Sequence, residues 1–88
     1  MRIKDGFILR TICGEHIVIG EGLKRVNFNK MLSLNESAAW LWEQVQGRDF
    51  EAADMVNLLQ EKYDVSAEQA AVDVEQMLQI WHSEGVVE

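Results

Sequence analysis

Few residues in this chain of 88 could carry out chemistry. His16 and His82 are the histidines, and Cys13 is the single cysteine. A zinc site needs three or four spaced ligands, and a nucleophilic thiol needs a base beside it. Neither pattern occurs around these residues. We therefore expect no catalytic residue, no metal and no cofactor. An exposed Cys13 thiol beside the turn residue Gly14 leaves a small enzyme or redox protein as an alternative.

The charge distribution limits the class of partner. The chain has 15 acidic and 8 basic side chains, for a net charge of −7. Six of the bases fall in residues 1–30, so the remainder of the chain is strongly acidic. Proteins that hold nucleic acid usually neutralise its phosphates with Lys and Arg, and residues 66–83 contain neither. We expect no nucleic-acid partner. A winged-helix-like nucleic-acid or protein-interaction adaptor is kept as the alternative function.

Length and hydropathy predict one domain over residues 1–88 in the cytoplasm. Domains typically contain roughly 100–150 residues, so this chain suffices for a single core. Its apolar runs are only a few residues long, which is too short for a membrane span. Asp5 and Gly6 interrupt the region where a signal peptide would require an apolar stretch. We expect no membrane partner.

The first third of the sequence predicts β-strands. The apolar runs 7–12 and 16–19 are separated by Cys13 and Gly14, which is typical of a β-hairpin. Residues 25–34 are also extended, with Val26 and Phe28 on one face. The pattern fits one bulged strand or two short strands, and it does not choose between them.

The rest of the sequence predicts three helices. Asn35 is a suitable N-cap for the first helix, which ends near Gly47. The second covers about residues 51–62, with Ala52 on its apolar face. The third is capped by Ser66, has Ala67 and Ala71 on its apolar stripe, and runs to about Ser83 before a stop at Gly85. This order predicts an α+β fold: a small N-terminal antiparallel sheet followed by three helices, similar to a winged helix-turn-helix.

Two features do not fit a single apolar stripe along each helix. Trp40 lies about 200° around the first helix from Trp42, so we expect Trp40 either to pack against the sheet edge or to be partly exposed. The third helix has a second, mixed face that includes Val72 and Ile80. This face is either ordinary surface or a partner surface.

Several motifs together resemble the PqqD family. The stretch Met31-Leu32-Ser33-Leu34-Asn35-Glu36-Ser37-Ala38-Ala39-Trp40-Leu41-Trp42 is similar to the segment in which that family's strand leads into its first helix. The family's C-terminal pattern is matched by Tyr63-Asp64-Val65-Ser66, Ala70, Asp73-Val74, Met77-Leu78 and Gly85-Val86-Val87. The opening Gly6-Phe7-Ile8-Leu9-Arg10 also fits, so the resemblance covers nearly the whole chain.

The resemblance implies a small, non-catalytic recognition element for ribosomally made peptides that are modified after translation. Such a protein acts as a peptide chaperone: it binds the leader part of a precursor peptide and presents it to a modifying enzyme, commonly a radical S-adenosylmethionine enzyme. The family's founding member serves pyrroloquinoline quinone (PQQ) synthesis. The longer region around residues 20–30 favours a different peptide pathway for this chain.

The resemblance also implies where the peptide binds. In the family the peptide lies along the third strand, in a groove against the last helix, and strand addition at a sheet edge explains such binding physically. The corresponding strand-side residues here are Arg25, Val26, Phe28, Lys30, Met31, Leu32, Ser33 and Leu34. The helix-side residues are Val72, Asp73, Gln76 and Ile80.

Side-chain alternation and charge refine this prediction. Met31 and Ser33 point to one side of the strand, and Leu32 and Leu34 to the other. We expect one pair to face the core and the other to face the groove. Arg25 and Lys30 would attract acidic leader residues. The same exposed edge also permits homodimerisation.

Overall fold

Three strands precede three helices in the computed structural model, which describes residues 1–20 and 32–88. The elements are β1 (Phe7–Ile12), β2 (Glu15–Gly20), β3 (Leu32–Leu34), α1 (Glu36–Val45), α2 (Ala52–Lys62) and α3 (Ala67–Ser83). The sheet is antiparallel with the order β1-β2-β3. The predicted α+β fold, with an N-terminal sheet followed by three helices, is therefore confirmed.

A two-residue turn joins β1 to β2. Ile12 pairs with Glu15, which leaves Cys13 and Gly14 as the loop. Both have positive φ values, 52° and 78°. A two-residue hairpin loop with positive φ at both positions matches the right-handed twist of the strands. The predicted hairpin is confirmed, and the backbone conformation makes Gly14 a suitable residue for it.

The inner face of the sheet packs on the helices. Leu9, Val18 and Leu32 are paired in one row across the three strands, and Val18 is fully buried. Beneath them the Trp42 and Trp81 rings meet edge to face, with their centroids 5.2 Å apart. Both tryptophans are buried, so α1 and α3 meet the sheet in one hydrophobic core.

Local hydrogen bonds set where the helices begin. The Asn35 side chain accepts from the Ala38 backbone N–H at 2.8 Å at the start of α1. The Ser66 hydroxyl accepts from the Gln69 N–H at 3.1 Å at the start of α3. Each bond satisfies a first-turn donor that has no partner within the helix. Both sequence-predicted caps are present.

The chain reverses sharply after α3. Gly85 has φ 74°, its N–H donates to the His82 carbonyl, and the Val86 N–H donates to the Trp81 carbonyl. This pair of bonds is a Schellman motif, which requires a left-handed residue at the position of Gly85. The turn directs Val86 and Val87 into the core, where both are buried.

The structure corrects the predicted burial of several helix alanines and decides the placement of Trp40. The apolar faces predicted for the second and third helices include Ala52, Ala67 and Ala71, yet all three are exposed. Trp40 is partly buried and packs edge to face on Tyr63, with ring centroids 6.4 Å apart, and the Lys62 Nζ lies 5.0 Å from the Trp40 centroid. Of the two alternatives predicted for Trp40, partial exposure is confirmed, and its packing partner is the end of α2 rather than the sheet edge. Whether residues 25–34 form one strand or two depends mostly on residues 25–31, which lie outside the described ranges.

Candidate binding groove

A groove of about 350 Å³ opens between β3 and α3. Within the described ranges, β3 pairs with β2 on one side only, so it forms an edge of the sheet. The strand wall consists of Leu32, Ser33 and Leu34. The side chains of Asp73, Gln76 and Ile80 form the helix wall. The fold thus brings together six of the residues predicted for peptide binding.

The three residues of the strand wall differ in burial. Leu34 is buried, Leu32 is partly buried and Ser33 is exposed, so the two leucines are the core-facing pair. All three residues line the groove, which opens between the inner face of the sheet and α3. Leu32 and Leu34 therefore contact both the core and the groove. Met31 lies outside the described residues, and the assignment of Met31 and Ser33 to the groove-facing side stays a prediction.

The helix wall combines polar and apolar side chains at helical spacing. Asp73, Gln76 and Ile80 are separated by three and four residues, which places them on one face. Ile80 is 53% exposed, although its side chain is large and aliphatic. The Gln69 side-chain amide donates to the Asp73 carboxylate at 2.8 Å, which fixes that carboxylate at the groove.

Val72 does not line this groove. It is 47% exposed, and one residue along a helix corresponds to a rotation of about 100°, so Val72 lies on the outer ridge of α3 rather than beside Asp73. The prediction from sequence placed Val72 and Ile80 together on one face of this helix. The structure separates the two residues.

The floor of the groove comes from residues that sequence reasoning missed. These are Ala38 and Leu41 of α1, Leu59 of α2, and Val74, Met77 and Trp81 of α3. They lie on the ordinary apolar stripes of three helices, so the pattern indicated only that they are core residues. No signal in the sequence marks where the core becomes accessible from outside.

One end of the groove is polar. Asn35 and Ser37 line it there, and the Ser37 hydroxyl donates to the Asn35 side-chain oxygen at 3.1 Å. The same Asn35 oxygen caps α1. Because its side-chain oxygen accepts both hydrogen bonds, Asn35 positions the start of α1 next to the strand wall.

The remaining predicted strand-side residues are Arg25, Val26, Phe28, Lys30 and Met31. They lie outside the described residues. They immediately precede Leu32 in the chain, and their assignment to the binding site stays a prediction.

The groups considered for chemistry lie in two parts of the fold. Cys13 is exposed at the hairpin tip, and His16 of β2, in the same hairpin, has its Nδ1 2.9 Å from the Thr11 hydroxyl. His82 lies in the last turn of α3. Residues 1–20 and 32–88 contain no cluster of three or more metal-ligating side chains. Over those same ranges, no helix has the length and apolar character needed to cross a membrane. What the groove offers is an apolar floor, a polar rim and a strand edge.

A strand edge beside an apolar groove is the arrangement to which an extended peptide can add as a further strand. The family model of the coenzyme PQQ synthesis protein D, PqqD, matches residues 15–87 of this chain. The chain belongs to the PqqD family. Comparison with curated protein sequences gives no match.

A solved structure has the same fold. It is described as "TbiB1 in Complex with the TbiA(beta) Leader Peptide" and superposes with a TM-score of 0.77 at 15% sequence identity. The match covers 100% of this chain and 95% of that chain. Family and fold together support peptide binding.

Proposed function

We propose that residues 1–88 form one non-catalytic recognition domain that binds the leader segment of a ribosomally synthesised precursor peptide. The domain then presents that peptide to a modifying enzyme, which we propose to be a radical S-adenosylmethionine enzyme. The observation that carries the proposal is the groove between the β3 edge and α3. Membership of the PqqD family and the leader peptide bound in the TbiB1 structure support it.

Binding proceeds by strand addition at β3. The three residues of β3 span about 10 Å at roughly 3.3 Å per residue, and their outer edge supplies main-chain donors and acceptors. Alternate leader side chains then point to the Leu32 and Leu34 side and enter the groove. Those between them point to the Ser33 side, away from α3.

The groove selects leader side chains by shape and polarity. Its floor is apolar, so an aliphatic or aromatic leader residue loses solvent contact there and gains about 25 cal/mol per Å² of buried apolar surface. Asp73 and Gln76 on the wall offer hydrogen-bond acceptors to the peptide. Arg25 and Lys30, outside the described residues, are proposed to attract acidic leader residues.

The proposal is tested by peptide capture followed by hydrogen exchange. The chain is immobilised, the small-peptide fraction of its source cells is passed over it, and retained peptides are identified by mass spectrometry. We expect one short precursor to be retained. With that precursor bound, those amide protons of Leu32–Leu34 that point away from β2 should exchange more slowly, because strand addition gives them hydrogen-bond partners on the open edge.

Two results would count against the proposal. Retention of a large protein alone would make the chain an adaptor rather than a leader-binding domain. A retained precursor that slows exchange elsewhere and leaves β3 unchanged would refute strand addition. Gln79→Arg, a change outside the β3–α3 groove, provides a charge-altered control that should retain the precursor.

A further inference from the structure

A second groove, of about 440 Å³, lies on the other flank of α3, between α2 and α3. Its α2 wall consists of Ala52, Ala53 and Val56, and its α3 wall includes Ala71 and Leu78. The three alanines are exposed, and Val56 is only partly buried. Unlike the β3 groove, it borders no strand edge, so it offers no main-chain partners to an extended peptide.

The shape of this groove suits another helix. Its α3 wall extends from Ala71 to His82, which is about 16 Å at 1.5 Å per residue, or three helical turns. Alanine side chains end at Cβ, so an incoming helix can approach to about 8 Å between axes and insert larger apolar side chains between them.

The charged residues around this groove indicate the sign of the charge expected on its occupant. Glu75 lines the groove, and Glu68 lies seven residues earlier on the same face of α3. α3 contains no Lys or Arg, and the single base of α2, Lys62, lies over the Trp40 ring on the side of α1. A nucleic acid, or the same acidic helix face of a second copy, would bring like charge to this rim. A basic partner would be attracted to it.

We propose that the α2–α3 groove docks a basic amphipathic helix of a partner protein, whose apolar side chains fill the groove and whose Lys or Arg residues face Glu75 and Glu68. Resting on the proposed function, this partner is the modifying enzyme. Asp73 faces one groove and Glu75 the other, about 200° apart around α3, so leader and enzyme can be held at the same time.

The test uses a synthetic probe on the full chain. The probe is an acetylated, amidated peptide of about 14 residues, long enough for three turns with frayed ends, with Leu on one helical face and Lys elsewhere. A shuffled peptide of the same composition lacks the apolar face, and a third peptide has Glu in place of Lys. Binding is measured by fluorescence anisotropy at physiological ionic strength, where distant surface charges are screened.

Matched variants separate this groove from simple charge attraction. Gln79→Arg and Gln76→Arg make the same change on the same helix, but Gln79 lines the α2–α3 groove and Gln76 lines the β3 groove. We expect Gln79→Arg to weaken probe binding at least about tenfold, because like charge is placed at a desolvated contact, and Gln76→Arg to weaken it less than about threefold. Ala71→Leu fills the groove without changing its charge. This variant should no longer bind the probe, and its helical circular dichroism should be unchanged.

Several results would overturn the proposal. Equal binding of the shuffled or Glu peptide, or equal loss in the two Arg variants, would show that no specific groove is occupied. Concentration-dependent dimerisation that Gln79→Arg abolishes would make the occupant a second copy. The probe is not a leader peptide, so failure here leaves precursor capture and β3 protection unaffected. Failed precursor capture would equally leave probe binding measurable.

Discussion

Replacing Ile80 with Asp is expected to weaken leader binding strongly while leaving the domain folded. Ile80 lines the β3–α3 groove, yet 53% of its surface is exposed in the unbound chain. A bound leader would cover that exposed part. The folded domain depends little on it, so we expect the free energy of unfolding to fall by about 1 kcal/mol or less.

The magnitude for binding follows from the exposed fraction. Full burial of an isoleucine side chain contributes about 1.5–3 kcal/mol, so covering the exposed half contributes about 1–1.5 kcal/mol. The Asp carboxylate would in addition lose hydration against an apolar floor, at a cost of about 1 kcal/mol or more. The sum of about 2–3 kcal/mol corresponds to a dissociation constant about 30- to 150-fold higher.

The assay is isothermal titration of the captured precursor into each variant, with thermal unfolding as the test of folding. Val72→Asp is the matched control: Val72 is a β-branched residue on the same helix, 47% exposed, that lies outside the groove. We expect its affinity to stay within about threefold of the unmodified chain, as for a surface change away from the contact. Equal weakening by the two substitutions would refute the reasoning, because the contact surface would then be the outer ridge of α3.

Three further predictions concern turn and cap residues that stabilise the fold around the grooves. Cys13→Asn should raise the free energy of unfolding by about 0.5 kcal/mol, because Asn adopts positive φ more readily than Cys, and chemical denaturation should show it. Retained leader binding in that variant would also remove the redox alternative for Cys13. Gly85→Ala should lower the free energy of unfolding by about 1 kcal/mol or more, since the residue has φ 74°, and an unchanged melting temperature would contradict this reading of the turn. Asn35→Ala should lower the free energy of unfolding by about 1 kcal/mol because the α1 cap is lost, and the rate of amide exchange should increase first at Ala38.

The sequence was sufficient for the elements because each one carries local signals. The turn at Cys13 and Gly14, the caps Asn35 and Ser66, and the stop at Gly85 act within a few residues, so they can be identified without the fold. The apolar faces were predicted less well. Ala52 and Ala71 fit the helical periodicity, but alanine is a strong helix former that is equally suited to exposed positions.

The walls of the candidate groove were predictable only where the family resemblance pointed to them. That resemblance named β3 and α3, and the structure brings Leu32, Ser33 and Leu34 opposite Asp73, Gln76 and Ile80. The floor could not be predicted, because Leu41 and Leu59 belong to helices whose packing angles depend on the complete core. For the same reason, helical periodicity alone did not separate the ridge at Val72 from the wall at Ile80.

The edge-to-face pair of Trp42 and Trp81 gives this domain an intrinsic optical reporter. Trp81 belongs both to the pair and to the groove floor, whereas Trp40 is partly buried beside Lys62 at the far end of α2. A ligand that touches the floor therefore perturbs the emission of a buried indole and the coupling of two rings whose centroids are 5.2 Å apart. With Trp40 replaced by Phe, the intrinsic tryptophan emission should come from Trp42 and Trp81 alone, so that occupancy of the β3–α3 groove could be followed in unlabelled protein.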